Sequence, residues 1–137
     1  MTDSKSSNII SDSQGNILAI IIRADSKFEG ISFLTPDNFG LQIGTMLRPK
    51  NDLVPAHIHP QQTRVVKGTQ EVLILRSGKM FLELFDEDKN LIESLTISSG
   101  DIILLAYGGH QITMIEEVDL VEVKQGPYVK DLDKNYI

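Results

Sequence analysis

From Gly40 to Lys124 the sequence is a succession of short β-prone runs, each closed by turn-forming residues, and that punctuation constrains the fold more than any other feature. The runs cover 41–47, 71–76, 79–85, 91–97, 101–106, 111–115 and 120–124. Between them stand Ser77-Gly78, Asp86-Glu87-Asp88-Lys89-Asn90, Ser98-Ser99-Gly100, Gly108-Gly109 and Glu116-Glu117. Glycine supplies positive φ in such turns, while Asp, Asn and Ser hydrogen-bond their own backbone. No three-four apolar repeat persists long enough for a helix, whereas strands at this regular spacing are the mark of a sandwich or barrel. Upstream, residues 17–23 (Ile-Leu-Ala-Ile-Ile-Ile-Arg) form an unbroken apolar, β-branched run that suits a buried strand. Residues 25–38 carry Gly30 and Pro36 without a period and read as loop with one short strand.

A chain of 137 residues makes one domain, and with 41% hydrophobic residues it can fill a core. The expected organisation is a flexible segment over 1–11 and a single domain over 12–137, with a charged C-terminal tail over 125–137 that wraps the outside. The absence of cysteine removes disulfides, thiolate metal sites and cysteine nucleophiles, and accords with a cytoplasmic location. A net charge of −6 with no basic stripe argues against nucleic acid. The start, Met1-Thr2-Asp3-Ser4-Lys5-Ser6-Ser7, has no apolar run behind it of the kind a signal peptide carries. No apolar stretch approaches the ~18 residues of a membrane span.

The chemistry concentrates on three histidines and one glutamate. In Pro55-Ala56-His57-Ile58-His59-Pro60 two imidazoles stand two residues apart, and flanking prolines favour an extended backbone, so both rings leave the same face. Glu71 opens the run Glu71-Val72-Leu73-Ile74-Leu75, where alternation sets its carboxylate in the inward row with Leu73 and Leu75. A carboxylate so placed requires a partner or a proton. His110 shares a row with Ile112 and Met114 in the same way.

Two separated motifs resemble those of the cupin superfamily. His57-Ile58-His59, then Glu71 and Gly78, follow the family's first motif across a lengthened loop; Gly100 through Gly108-Gly109-His110 follows its second, with Ala106 where proline is usual and Met114 where asparagine is usual. The likeness covers about residues 41–124. It implies an all-β, antiparallel jelly-roll β-barrel holding one divalent transition metal ion (Mn, Fe, Ni, Co or Zn) with His57, His59, Glu71 and His110. Members that look most like this chain belong with polysaccharide and sugar-nucleotide metabolism.

An ion with such ligands keeps positions open for an oxygen-rich molecule. The loop 60–70 carries Arg64 and Lys67, and Arg76 follows on the next strand; such cations suit an anionic ligand. Arg64 and Tyr107, which precedes the turn to His110, are the candidate catalytic groups. Three functions stay open: a metal-binding cupin acting on or binding a small oxygen-rich molecule, a metal-independent sugar-nucleotide epimerase or isomerase in which His57 or His59 is the base and Tyr107 the proton donor, and a non-catalytic ligand sensor. The exposed edges of a small antiparallel barrel, and the apolar strand 17–22 in particular, predict a homodimer.

Overall fold

The β-branched runs form strands wherever alternation lets one face reach a core. A computed structural model describes residues 8–137. Among these residues there are ten strands, all in antiparallel ladders, and no helix; none, therefore, is long and apolar enough to cross a membrane. The chain divides into two compact units, one comprising 8–27 and Thr69–Ile137, the other Phe28–Gly68.

The first unit holds two sheets. Five strands lie in the order β1 (Asn8–Ser11), β2 (Ile17–Ile22), β8 (Ile102–Leu105), β5 (Glu71–Ser77), β10 (Asp119–Lys124), and three in the order β7 (Leu91–Ser98), β6 (Lys79–Phe85), β9 (Gly109–Met114). The segment Asn8–Ser11, expected to be loose, instead pairs with β2, its Ile9 and Ile10 opposite Ile20 and Ala19. Residues 1–7, the rest of that expectation, lie outside the described residues.

Register explains which side chains meet. In the larger sheet Ala19 and Ile21 oppose Leu105 and Ile103, which in turn oppose Glu71 and Leu73. In the smaller sheet Met80, Leu82 and Leu84 oppose Met114, Ile112 and His110. Inward residues of both sheets, among them Leu73, Leu75, Leu82, Ile97 and Ile103, form one apolar cluster. The 79–85 run shows the alternation most cleanly, every second residue fully buried. No ladder joins the two sheets, so among the described residues they do not close into a hydrogen-bonded barrel.

The chain crosses between sheets by short connections. Gly78 alone joins β5 to β6; its φ is +91°, and any Cβ there would strike the Glu117 carbonyl, so only glycine fits. At the same end of the unit, Asp101 is almost fully buried and binds Arg23 Nη1 at 2.9 Å, the Ala24 amide at 2.8 Å and the Ser98 amide at 2.9 Å. Arg23 also donates to the Thr96 carbonyl at 2.7 Å, tying the end of β2 to β7.

β2 is buried on both faces, as its unbroken apolar run predicts, and it is flanked by β1 and β8. Both ladder edges of β2 are thus taken within the chain, so the edge pairing expected for it with a second subunit has no open edge here.

The second unit contains one two-stranded sheet, β3 (Ile31–Phe33) with β4 (Gly44–Met46). The expected strand over 41–47 shrinks to β4 because side chains there find no core: Leu47 and every residue on to Gly68 are exposed. Polar contacts organise the turn instead, with Gln42 Nε2 donating to the carbonyls of Pro36 and Phe39 at 3.0 Å each and Thr35 Oγ1 donating to Gln42 Oε1 at 2.7 Å.

Candidate functional site

Alternation carries Glu71 and His110 to one place. Glu71 is the first residue of β5, in the row of Leu73 and Leu75, directly opposite Leu105 on β8 and Lys124 on β10. His110 is the second residue of β9, in the row of Ile112 and Met114 and opposite Leu84. Both line a small concavity of about 40 Å³, partly open to solvent, whose walls also include Leu18, Thr69 and the turn Ala106-Tyr107-Gly108. That turn passes the chain from one sheet to the other. The Ala106 amide donates to the Leu18 carbonyl at 2.9 Å, and Gly108, at φ +75°, lies so close to the Phe85 carbonyl that a Cβ would collide with it.

Burial and the neighbouring Glu122 carboxyl push Glu71 up from 4.5 to about 7, Asp133 adding to the effect and the Lys124 ammonium opposing it. Glu71 therefore exchanges its proton near neutral pH. His110 is lowered from its ordinary 6.5 by desolvation and by the Lys134 charge, against the pull of Glu122, so at pH 7 it is a neutral imidazole. Tyr107, with 43% of its surface exposed, is held above 10 by desolvation and by Glu87, Asp12 and Asp88, and stays a phenol. The pocket thus offers a carboxyl, an imidazole and a phenol, all able to donate or accept hydrogen bonds, over an apolar floor of Leu18, Leu84 and Leu105.

His57 and His59 belong to the exposed stretch of the second unit. Their rings meet edge to face with centroids 5.0 Å apart, as two-residue spacing on an extended backbone predicts. His57 Nδ1 lies 2.8 Å from the Pro55 carbonyl; donation there fixes the tautomer and leaves Nε2 as the basic nitrogen. Glu71 and His110 line one pocket of the first unit, and His57 and His59 pair within the second. Among the described residues, no group of three or more His, Asp or Glu side chains is placed to hold a metal ion.

Of the predicted cations, Arg64 contacts Gln62 Oε1 at 3.3 Å in the exposed loop, and Lys67 is exposed there as well. Arg76 pairs with Asp119 at 3.5 Å. The charged groups that surround Glu71 are different ones: Glu122 and Lys124 on β10, and Asp133 beyond it. Sequence could have found the first two. Leu120, Glu122 and Lys124 alternate, and Leu120 packs on the core, so the two charged residues share its inward row. Asp133 lies in a segment without periodicity and gave no signal.

Compared with known proteins, the chain matches no family model, no curated protein and no solved structure.

Proposed function

We propose that this protein is a cupin-type jelly-roll domain that binds a small oxygen-rich molecule in the pocket lined by Glu71 and His110. The observation that carries the reading is that these two residues, chosen from separate sequence motifs, line a single pocket. The repeated passage of the chain between sheets, at β5 to β6, β8 to β9 and β9 to β10, supports the jelly-roll assignment. The hydroxyls and carbonyls of a sugar suit a lining that offers a carboxyl, an imidazole and a phenol.

The metal reading needs a separate test of fit. A catalytic transition-metal centre takes three or more protein donors. One carboxyl and one imidazole in the pocket fall short of that, so no step is routed through an ion. What supports the reading is the cupin resemblance, which adds His57 and His59, and the ready pairing of those rings. Elemental analysis of protein purified without chelators decides it. One bound Mn, Fe, Ni, Co or Zn per chain, lost in both Glu71→Gln and His57→Ala, is the outcome the metal reading requires.

The neutral His110 beside a protonated Tyr107 favours a second reading, metal-independent proton transfer, with the imidazole taking a proton from carbon next to a carbonyl and the phenol returning one. A panel of sugar nucleotides, keto-acids and diols tests both. Thermal stabilisation that disappears in His110→Ala supports ligand binding. Deuterium uptake from solvent into one compound adds turnover, and no stabilisation by any member of the panel removes the pocket reading. The homodimer, which now rests on the outer edges β1, β7, β9 and β10, predicts a sedimentation mass of two 15.3 kDa chains.

A further inference from the structure

An antiparallel sheet presents open amides and carbonyls along its outer strands, and chains that stay single blunt those strands with charge, proline, a bulge or shortness. Among the described residues, three of the four outer strands of the first unit are blunted in this way. β1 is four residues long, and its register slips between Ile10 and Ser11. β10 carries Asp119, Glu122 and Lys124 and slips between Asp119 and Leu120. β7 carries Glu93, and its ladder with β6 slips between Leu84 and Phe85. β9 has none of these devices. Its six residues, Gly-His-Gln-Ile-Thr-Met, include no carboxylate, ammonium, guanidinium or proline, and its register with β6 runs unbroken from Met80 opposite Met114 to Phe85 opposite Gly109.

The layer between the sheets is also unfinished along β9. On β6, Met80, Leu82 and Leu84 are at most 1% exposed. Opposite them, Met114 is 53% exposed and His110 is exposed too, although both share the inward row with Ile112. The Ile115 amide donates to the Lys79 carbonyl at 2.9 Å, which fixes the phase of this ladder. Alternation then turns the backbone groups of Gln111 and Thr113 toward β6 and those of His110, Ile112 and Met114 toward the open edge. A strand laid along that edge engages those groups and covers Met114.

A two-fold axis sets an edge against its own copy, which on β7 or β10 brings Glu93 or Glu122 toward its like in a chain whose net charge is already −6. On β9 no like charges meet. An axis through Ile112 sets Ile112 against the partner's Ile112, His110 against the partner's Met114 and Gln111 against the partner's Thr113. Each pair then lies on one face, as the pleat requires, and the outward amides and carbonyls of residues 110, 112 and 114 exchange bonds across the axis. We propose that two copies of this chain join along β9, each extending the other's three-stranded sheet. The inference rests on the homodimer reading and names its edge. It brings the partner's Met114 beside His110, so the second chain supplies a wall next to the pocket.

Sedimentation of the full chain and of edge variants tests this. Met114→Pro removes one outward amide from each chain and leaves the bonds to β6 in place, while Thr113→Lys sets an ammonium on the exposed face of the edge. Each is expected to weaken self-association roughly tenfold or more, with thermal unfolding of Thr113→Lys close to that of the parent. The chain has no cysteine, so Ile112→Cys supplies a single thiol at the axis, where opposed Cα atoms stand about 5.5 Å apart, within disulfide range. Air oxidation is expected to link it into a two-chain species at least about ten times faster than it links Val121→Cys on β10. A parent dimer whose mass survives both Met114→Pro and Thr113→Lys, or in which thiols at 121 link as fast as those at 112, overturns the β9 edge and leaves the homodimer standing. A parent that stays at 15.3 kDa throughout the micromolar range removes the homodimer and the edge with it.

Discussion

The two compact units draw on similar proportions of apolar residues, used in opposite ways. In the unit comprising 8–27 and 69–137, alternation delivers Leu18, Leu73, Leu75, Met80, Leu82, Leu84, Ile97 and Ile103 to a cluster shared by two sheets. In the unit 28–68, Ile31, Phe33, Met46, Leu47, Leu53, Val54, Ile58 and Val65 are all more than half exposed, and the buried residue is Thr35. The difference lies in pattern, because a strand sequesters apolar side chains only when every second residue faces a partner sheet. Proline at 49, 55 and 60 removes backbone donors and keeps the second unit from extending its hairpin.

The largest effect that would sharpen the contrast is in the core. Leu82→Ala should cost about 3 kcal/mol of unfolding free energy by urea titration, the usual price of a buried leucine cavity. Ile58→Ala, at a side chain 92% exposed, should stay within roughly 0.5 kcal/mol. A cost above 1 kcal/mol for Ile58→Ala would break the comparison, since it would mean that 28–68 packs in solution. Asp101→Ala should cost about 2 kcal/mol, because it strips a nearly buried carboxylate from two amides and leaves the Arg23 guanidinium without its counter-charge.

Glu71→Gln tests the carboxyl that lines the pocket. Because its folded value is raised from 4.5 to about 7, the native state keeps a proton there that the unfolded chain releases between those values. The stabilisation is complete below about pH 4.5 and is lost as pH rises through 7. The glutamine variant should therefore match the parent at pH 4.5 and melt higher at pH 8, by about 1 kcal/mol after allowance for the solvent that reaches the side chain. The smallest effect belongs to the second unit. Gln42→Ala, which removes the donor to Pro36 and Phe39, should speed amide exchange over 34–43 by a factor corresponding to about 1 kcal/mol and leave global unfolding unchanged.

Much of the first unit was legible because its physics is local. Period two placed Glu71 with Leu73 and His110 with Ile112, and Gly78, Gly100 and Gly108 marked turns where the backbone adopts positive φ. The paired rings of His57 and His59 followed from spacing alone. What stayed hidden depends on contacts distant in sequence. Asn8–Ser11, expected to be part of a flexible start, becomes a strand because β2 has an edge for it. The same pairing, with β8 on the other side, leaves β2 no open ladder edge. Asp133 gives no pattern in the sequence, and matters because Lys124 points toward it.

Strand β8 is four residues long, a rod of about 13 Å. At its beginning Asp101 is knotted to Arg23 and Ser98; at its end Leu105 and Ala106 form part of the pocket wall. The knot and the pocket are therefore the two ends of one short lever, with Glu71 on the sheet that holds it and His110 on the sheet it faces. A tilt of β8 that starts at Asp101 would be felt as a change of gap between carboxyl and imidazole, although the charge cluster lies outside the pocket lining.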